Sequence, residues 1–288
     1  MKDTTHPPRL SVVTTLFRSA GTIEEFIERT SATAREVAGD DYEIVVVNDG
    51  SPDDSFERVR ALRSLHPRIV LVDLSRNFGH HIALLEGLRQ SRGELVFLID
   101  SDLEERPEWL QEFLDQMVAE NLDVVFGYQE QRKGGWFERR SGALYWWLFR
   151  RLSGLDLPPN VVTCRIMSRR YVDAVLRYGE TEVSIGAIFA VAGFDQAARP
   201  VAKGHKGSSS YSLRLKLWHF VNAISSFSVK PLSAIFAVGT VVSGVGLVLI
   251  LYLVVAALVW GHSPVGWTSV IASVWLLGGL ILWSLGVM

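Results

Sequence analysis

From Pro231 to Met288 the chain carries no Asp, Glu, Lys or Arg. That tail divides into two apolar runs, roughly Ala234–Trp260 and Val265–Met288, around Gly261-His262-Ser263-Pro264. A helix of about 20 apolar residues crosses a hydrocarbon core of about 30 Å, so either run is long enough to span it. The Gly-His-Ser-Pro break reads as a tight hairpin. Two packed core helices are the competing reading, which lengths this great without one charge disfavour. Lys203, Lys206, Arg214, Lys216 and Lys230 precede the first run and no basic residue lies in the break. The positive-inside rule then places residues 1–230 in the cytosol. Met1–Arg9 is short, polar and proline-bearing, without the apolar centre of a signal peptide.

Ahead of the tail, strand and helix patterns alternate. Leu10–Leu16 is β-rich and a helical pattern runs to about Ala38. Glu43–Val47 ends in the turn Asn48-Asp49-Gly50-Ser51-Pro52; a helix follows to Leu65, a strand at Ile69–Leu74 and a helix to about Gln90. Leu95–Ile99 is an unbroken apolar run, Pro107 opens a helix to Glu120, and Asp123–Phe126 reads as a strand. This rhythm predicts an α/β fold around a mostly parallel, doubly wound sheet. A formal net charge of −2 gives no global basic signal, so no nucleic-acid partner is expected. The single cysteine, Cys164, allows no intramolecular disulfide.

The Leu95–Ile99 run feeds straight into Asp100-Ser101-Asp102-Leu103-Glu104. Apolar runs of this length suit strands buried on both faces, and ligands of open α/β sheets bind beyond strand C-termini. Asp100 and Asp102 can converge there on one hard cation, Mg²⁺ or Mn²⁺, with Glu104 as a further oxygen. The bland alternative is a solvated acidic turn. Asp49 ends a second strand and faces the same crevice, as a ribose or base contact or else as an Asx-turn residue. No G-x-x-x-x-G-K-[ST] and no strand-linked G-x-G-x-x-G is present, which disfavours P-loop and dinucleotide enzymes. Trp136–Leu152 mixes aromatics with Arg139, Arg140, Arg150 and Arg151, and Tyr211–Val229 sets Leu213, Leu217, Phe220, Ile224 and Phe227 on one helical face. Core packing is the alternative for each. Two such helices leading into an apolar hairpin favour the headgroup layer.

Five stretches carry a resemblance: Val45-Val46-Val47-Asn48-Asp49-Gly50-Ser51, Ser75-Arg76-Asn77-Phe78-Gly79-His80, Asp100-Ser101-Asp102-Leu103, Gly207-Ser208-Ser209-Ser210-Tyr211-Ser212 and Phe227-Ser228-Val229-Lys230-Pro231-Leu232. Together they resemble the membrane-anchored GT-A glycosyltransferases of family 2 that make polyisoprenyl-phosphate sugars, the dolichyl-phosphate mannose synthases and bacterial polyprenyl-phosphate glucosyltransferases. The resemblance implies a GT-A (Rossmann-like) nucleotide-sugar-binding core at residues 1–130. It implies an acceptor-side region with two amphipathic interface helices at 131–230, and two transmembrane helices within 231–288. It places Thr15, Phe17 and Asp49 with the donor, and Asp100 and Asp102 on the metal and the donor diphosphate, with Glu104 where relatives often carry Gln. Arg132, Arg139, Arg140, Lys203 and Lys206 fall where basic residues meet the acceptor phosphate. The first-strand stretch Thr14-Thr15-Leu16-Phe17-Arg18-Ser19 departs from the Pro-x-Tyr-Asn-Glu of many relatives. Glu180 and Glu182 are the acids near a base position, with Glu182 the candidate.

The expected reaction is inverting, metal-dependent transfer of a hexose from a nucleotide diphosphate sugar, a UDP-sugar by family habit, to a polyisoprenyl phosphate. Its expected setting is the cytoplasmic face of the cell inner membrane, in a multi-pass protein. Relatives can be homo-oligomeric, and the sequence fixes no subunit count. A membrane polysaccharide synthase is the rival enzyme, disfavoured by the missing Q-x-x-R-W and by only two spans. A non-catalytic scaffold is the rival outside enzymology, opposed by the intact Asp100 and Asp102.

Overall fold

The computed structural model describes residues 6–129, 160–178, 185–203, 230–260 and 266–287. The chain forms two compact units, one from Met1–Trp146 and Leu155–Tyr211, the other from Trp147–Gly154 and Ser212–Met288.

The first unit is built on a seven-stranded sheet in the order β3-β2-β1-β4-β6-β5-β7. Its strands are β1 Leu10–Leu16, β2 Tyr42–Asn48, β3 Ile69–Asp73, β4 Leu95–Leu98, β5 Val124–Tyr128, β6 Val161–Ser168 and β7 Gln196–Pro200. Every residue of β1 and β2 is buried. In β2 this follows from the run Ile44–Val47; in β1 the apolar Leu10, Val12, Val13 and Leu16 are interleaved with the small Ser11, Thr14 and Thr15, which a strand covered on both faces accommodates. β1 pairs in parallel with β2, Leu10 opposite Tyr42 through Leu16 opposite Asn48, and with β4, Leu10 opposite Leu95 through Val13 opposite Leu98.

Helices cover the two faces. α1 Ile23–Ala38, α2 Ser55–Leu62 and α4 Trp109–Ala119 share a core with Val12, Ile44, Val46 and Phe97. α3 His80–Gln90 lies over Val13 and Val47, where Gly87 lets the helix backbone come close. The described part of this unit also contains α5 Arg169–Leu176 and α6 Ile185–Val191.

The sheet does not stop at residue 130, where the core was expected to end. β6 enters antiparallel between β4 and β5, and β7 pairs in parallel with β5. Arg165 in mid-strand disguises β6 in the sequence. Its guanidinium is buried without a carboxylate partner among the described residues, donates to the carbonyls of Thr163 and Val162, and lies 3.8 Å from the centroid of the Phe189 ring. A charge satisfied by backbone and an aromatic face breaks the apolar pattern but not the strand.

In the second unit, α7 Lys230–Trp260 and α8 Gly266–Val287 pack on each other. Their apolar stretches Leu232–Ala256 and Ser269–Val287 are long and apolar enough to cross a membrane. Large side chains such as Leu251, Leu258, Val274 and Leu277 point outward. The two helices meet through small residues: a Cβ on Gly239 would strike the Trp283 backbone, and one on Gly279 would strike Ser243.

The core around Phe113 generates a stability prediction. Phe113 is fully buried, edge-on to Phe97 and stacked with Trp109. Phe113→Ala should cost about 3–5 kcal/mol by loss of burial and creation of a cavity. Urea titration of the detergent-solubilised protein by tryptophan fluorescence would show an earlier midpoint.

Candidate active site

Sheet order reverses at β1, with β2 on one side and β4 on the other. In open α/β sheets that reversal opens a crevice beyond the strand C-termini. Ile99 still donates its N–H to the Val13 carbonyl at 3.1 Å, so Asp100 is the first residue free of the sheet. Ser101 is bolted to β1. Its hydroxyl donates to the Thr15 carbonyl at 2.8 Å and lies 3.1 Å from the Ser19 hydroxyl, while Thr22 donates to the Ser101 carbonyl at 3.0 Å. Oδ1 of Asp102 accepts the N–H of Glu104 at 3.0 Å across Leu103, whose φ is +61°. A branched L-residue in the left-handed region costs on the order of 1–3 kcal/mol, so the surrounding contacts hold this turn in place.

The charges of the turn are close together. Glu105 is fully buried. Its Oε1 accepts the Thr163 N–H at 3.1 Å and faces Lys203 Nζ at 3.1 Å, and its Oε2 accepts the Asp100 N–H at 3.4 Å. Lys203 Nζ also lies 3.7 Å from Oε2 of Glu104. Burial, and next the charge of Asp100, raise the Glu105 pKa to about 7 against the pull of Lys203. Burial likewise raises that of Asp100, with Asp102 and Glu104 adding to it and Lys203 and Thr163 opposing. Desolvation alone would lower the Lys203 pKa, but Glu105, Asp100 and Asp102 outweigh it and the net shift is upward. His80 opens α3 beside this group, with Nδ1 3.2 Å from the Thr15 hydroxyl and Nε2 3.5 Å from Oδ1 of Asp100. Desolvation lowers the His80 pKa, against the charges of Glu105 and Asp49.

Asp49 is buried at the end of β2 and holds the loop before α3. Its two oxygens accept the N–H groups of Phe78, at 2.7 Å, and Gly79, at 3.1 Å. The turn after β2 is closed instead by Asn48, which accepts the Ser51 N–H at 3.0 Å and donates to Asp73 at 2.7 Å. Gly50 has φ +59°, and a Cβ there would come within 2.5 Å of the Asn77 nitrogen, so this turn and the loop before α3 touch backbone to backbone. Asp53 ties the same turn to the β1–α1 loop. Ser51 and Ser55 donate to its Oδ1, Ala20 N–H donates to its Oδ2 at 3.2 Å, and Ser51 and Ser55 accept the N–H groups of Arg18 and Ser19. Phe17 is exposed, with the Arg18 guanidinium 5.4 Å from its ring centroid.

The structure therefore gathers Thr15, Asp49, Asp100, Asp102, Glu104 and Lys203 at one end of the sheet, with Phe17 on the loop that follows β1. Lys203 is engaged by Glu105 and Glu104. Glu182, Arg132, Arg139, Arg140 and Lys206 lie outside the described residues, as do both aromatic–basic segments. Sequence reasoning missed Glu105, Asp53, Thr163 and the part played by His80. A second acid before Pro107 was the only signal for Glu105.

The donor set fits a divalent cation. Oδ1 of Asp100 is buried without a hydrogen-bond partner, and Asp102 keeps one oxygen clear of the Glu104 N–H. Among the described residues no three His, Cys, Asp or Glu side chains already form a metal site. Such a set matches a cation whose remaining ligands come from substrate phosphate and water.

The Asp53 knot has a pH signature. Burial would raise its pKa, but the hydrogen bonds from Ser51, Ser55 and Ala20 outweigh this and lower it to about 2. A folded pKa below the unfolded one stabilises the protein above about pH 4, and the contribution is lost as pH falls towards 2. Asp53→Asn should thus cost about 1–3 kcal/mol near neutrality. In paired melting curves its deficit against the parent protein should narrow between pH 4 and pH 2.

Comparison with known proteins agrees with this architecture. Residues 11–176 match the family described as glycosyl transferase family 2. A Mycobacterium tuberculosis protein named as a glycosyltransferase is 37% identical over 96% of this chain and 81% of its own length. The undecaprenyl-phosphate 4-deoxy-4-formamido-L-arabinose transferase of Edwardsiella ictaluri is 29% identical over 88% of this chain and 78% of its own. Among solved structures, glucosyl-3-phosphoglycerate synthase from Mycobacterium tuberculosis, in complex with Mn²⁺, UDP-glucose and phosphoglyceric acid, aligns with a TM-score of 0.53 at 21% identity. The alignment covers 76% of this chain and 79% of that one. The fold is thus GT-A, and the chain is a glycosyltransferase belonging to glycosyl transferase family 2.

Proposed function

We propose that this chain transfers a hexose from a nucleotide diphosphate sugar, a UDP-sugar, to a polyisoprenyl phosphate at the cytoplasmic face of the membrane, with inversion at the anomeric carbon. The observation that carries the reading is the buried, unpartnered Oδ1 of Asp100 at the switch point of the sheet. The acceptor class is supported by the two apolar helices and by a relative whose name specifies undecaprenyl phosphate. Uridine donors head the choice because a solved neighbour holds UDP-glucose.

Asp100 and Asp102, with Glu104, would hold Mg²⁺ or Mn²⁺ against the donor diphosphate, and the cation would supply the charge that stabilises the departing nucleotide. The chain's own residues prepare that place. His80 stands beside the Asp100 carboxylate, its Nδ1 3.2 Å from the Thr15 hydroxyl and its Nε2 3.5 Å from Oδ1 of Asp100. Ser101, anchored to β1, fixes the distance between the two aspartates and the first strand. A lipid phosphate monoester has a second pKa of about 6 and is largely dianionic at neutral pH. It can attack without losing a proton to a strong base. Arg132, Arg139, Arg140 and Lys206 are assigned to it; Glu182 is then dispensable as a base.

A partition assay tests the proposal. Purified protein in detergent is given undecaprenyl phosphate, Mg²⁺ or Mn²⁺ and a panel of radiolabelled sugar nucleotides. Label should enter the organic phase from one donor as a single sugar on lipid, and Asp102→Asn should lower the rate at least about 100-fold. Near-normal turnover in that variant would sink the metal assignment. Product that lengthens with time would point to a polymerising synthase, and binding without turnover to a scaffold.

A further inference from the structure

Glu105 stands apart from the acids that precede it. Asp100, Asp102 and Glu104 are each partly open to solvent, whereas Glu105 is fully buried. A buried carboxylate is costly unless donors surround it. Here three donors converge from three separate segments. One is the N–H of Asp100, in the turn after β4, one the N–H of Thr163, in β6, and one the ammonium of Lys203, in the segment after β7. β6 and β7 come from beyond residue 159, far along the chain from the turn that carries Glu105. Glu105 is a fully buried side chain that meets all three segments at this end of the sheet.

We infer that Glu105 is a positioning residue of the donor site: with Lys203 as its counter-charge, it sets Asp100 against β6 and locks the segment after β7 to the D-x-D turn. The inference deepens the proposed function and rests on its placement of the donor diphosphate at Asp100 and Asp102. The geometry dictates what a conservative change does. A glutamine has one acceptor oxygen where the carboxylate has two. If that oxygen serves Thr163 and Lys203, the amide NH₂ confronts the N–H of Asp100, donor against donor, and the Asp100 backbone is displaced. If the amide is turned over, the NH₂ confronts the ammonium and the Thr163 N–H instead. Either way the turn loses its register while the apolar core is untouched. Lys203 is mostly enclosed, with a side chain 20% exposed, and its ammonium lies among Glu105, Glu104, Asp100 and Asp102. It offsets part of their mutual repulsion and holds the chain leaving β7 beside them.

The test is Mn²⁺ binding by the full-length protein in detergent, followed by electron paramagnetic resonance with UDP or GDP present. Parent protein, Asp102→Asn, Glu105→Gln, Lys203→Met and Lys203→Arg are compared, each with a melting curve to establish that it is folded. The parent should bind and Asp102→Asn should lose binding. Folded Glu105→Gln should bind at least about ten-fold more weakly, the range found when groups that orient metal ligands are removed, and give an altered bound-Mn²⁺ line shape. Lys203→Met should weaken binding in the same way, and Lys203→Arg should restore most of it. Folded Glu105→Gln with parental affinity and line shape overturns the inference while leaving the donor site standing. Should Glu105→Gln not fold, parental behaviour of Lys203→Met overturns it. A parent that binds Mn²⁺ with neither nucleotide brings down the donor-site reading, and this inference with it.

Discussion

A strand buried on both faces carries a charge only where the fold itself supplies partners for it, and β4 stays apolar until it leaves the sheet at Ile99. Everything at the site follows from that point. The apolar run keeps β4 between β1 and β6, its last backbone bond is made to Val13, and Asp100 is the first side chain that can face the crevice. Four of the six residues from Asp100 to Glu105 are acids. The turn is therefore a concentrated negative charge in a partly desolvated place, and it persists because cationic and N–H donors were recruited from distant segments.

The recruitment has a consistent chemistry. Small hydroxyl and amide side chains, Ser19, Thr22, Asn48, Ser51, Ser55 and Ser101, stitch the loops at the strand ends to one another through their backbones. Each such bond contributes modestly to stability, on the order of 1 kcal/mol. Their larger effect is geometric, because they turn four independent loops into one rigid rim. Asp49 and Asp53 serve that rim with their carboxylates fully engaged by backbone N–H and hydroxyl groups.

What could be read from the sequence divides along physical lines. The parallel core was legible because unbroken apolar runs suit strands buried on both faces, and the position of Asp100 and Asp102 at the end of one such run followed from it. The two long C-terminal helices were legible because runs that long and apolar, without a charge, have the length and composition of spanning helices. Glu105 was not, since an acid sealed from water and an acid in a solvated turn are the same letter. β6 escaped notice because Arg165 sits within it, and its neutralisation by carbonyls and an aromatic ring exists only in three dimensions. Asp49 was read as a turn former or a donor contact; Asn48 forms the turn, and Asp49 fastens the neighbouring loop.

The antiparallel insertion of β6 has a consequence for how such a fold can diversify. β5 ends at Tyr128 and β6 begins at Val161, and the N–H of Gln129 donates to the carbonyl of Asn160 at 3.1 Å. The chain therefore leaves β5 and enters β6 at a single stapled point, at the end of the sheet where Thr163 meets Glu105. Both sides of the staple belong to strands already fixed in the sheet, so the sequence between them can vary without β5 and β6 changing partners. The strand framework and the turn that carries Asp100 and Asp102 are thus insulated from variation introduced at that place in the chain.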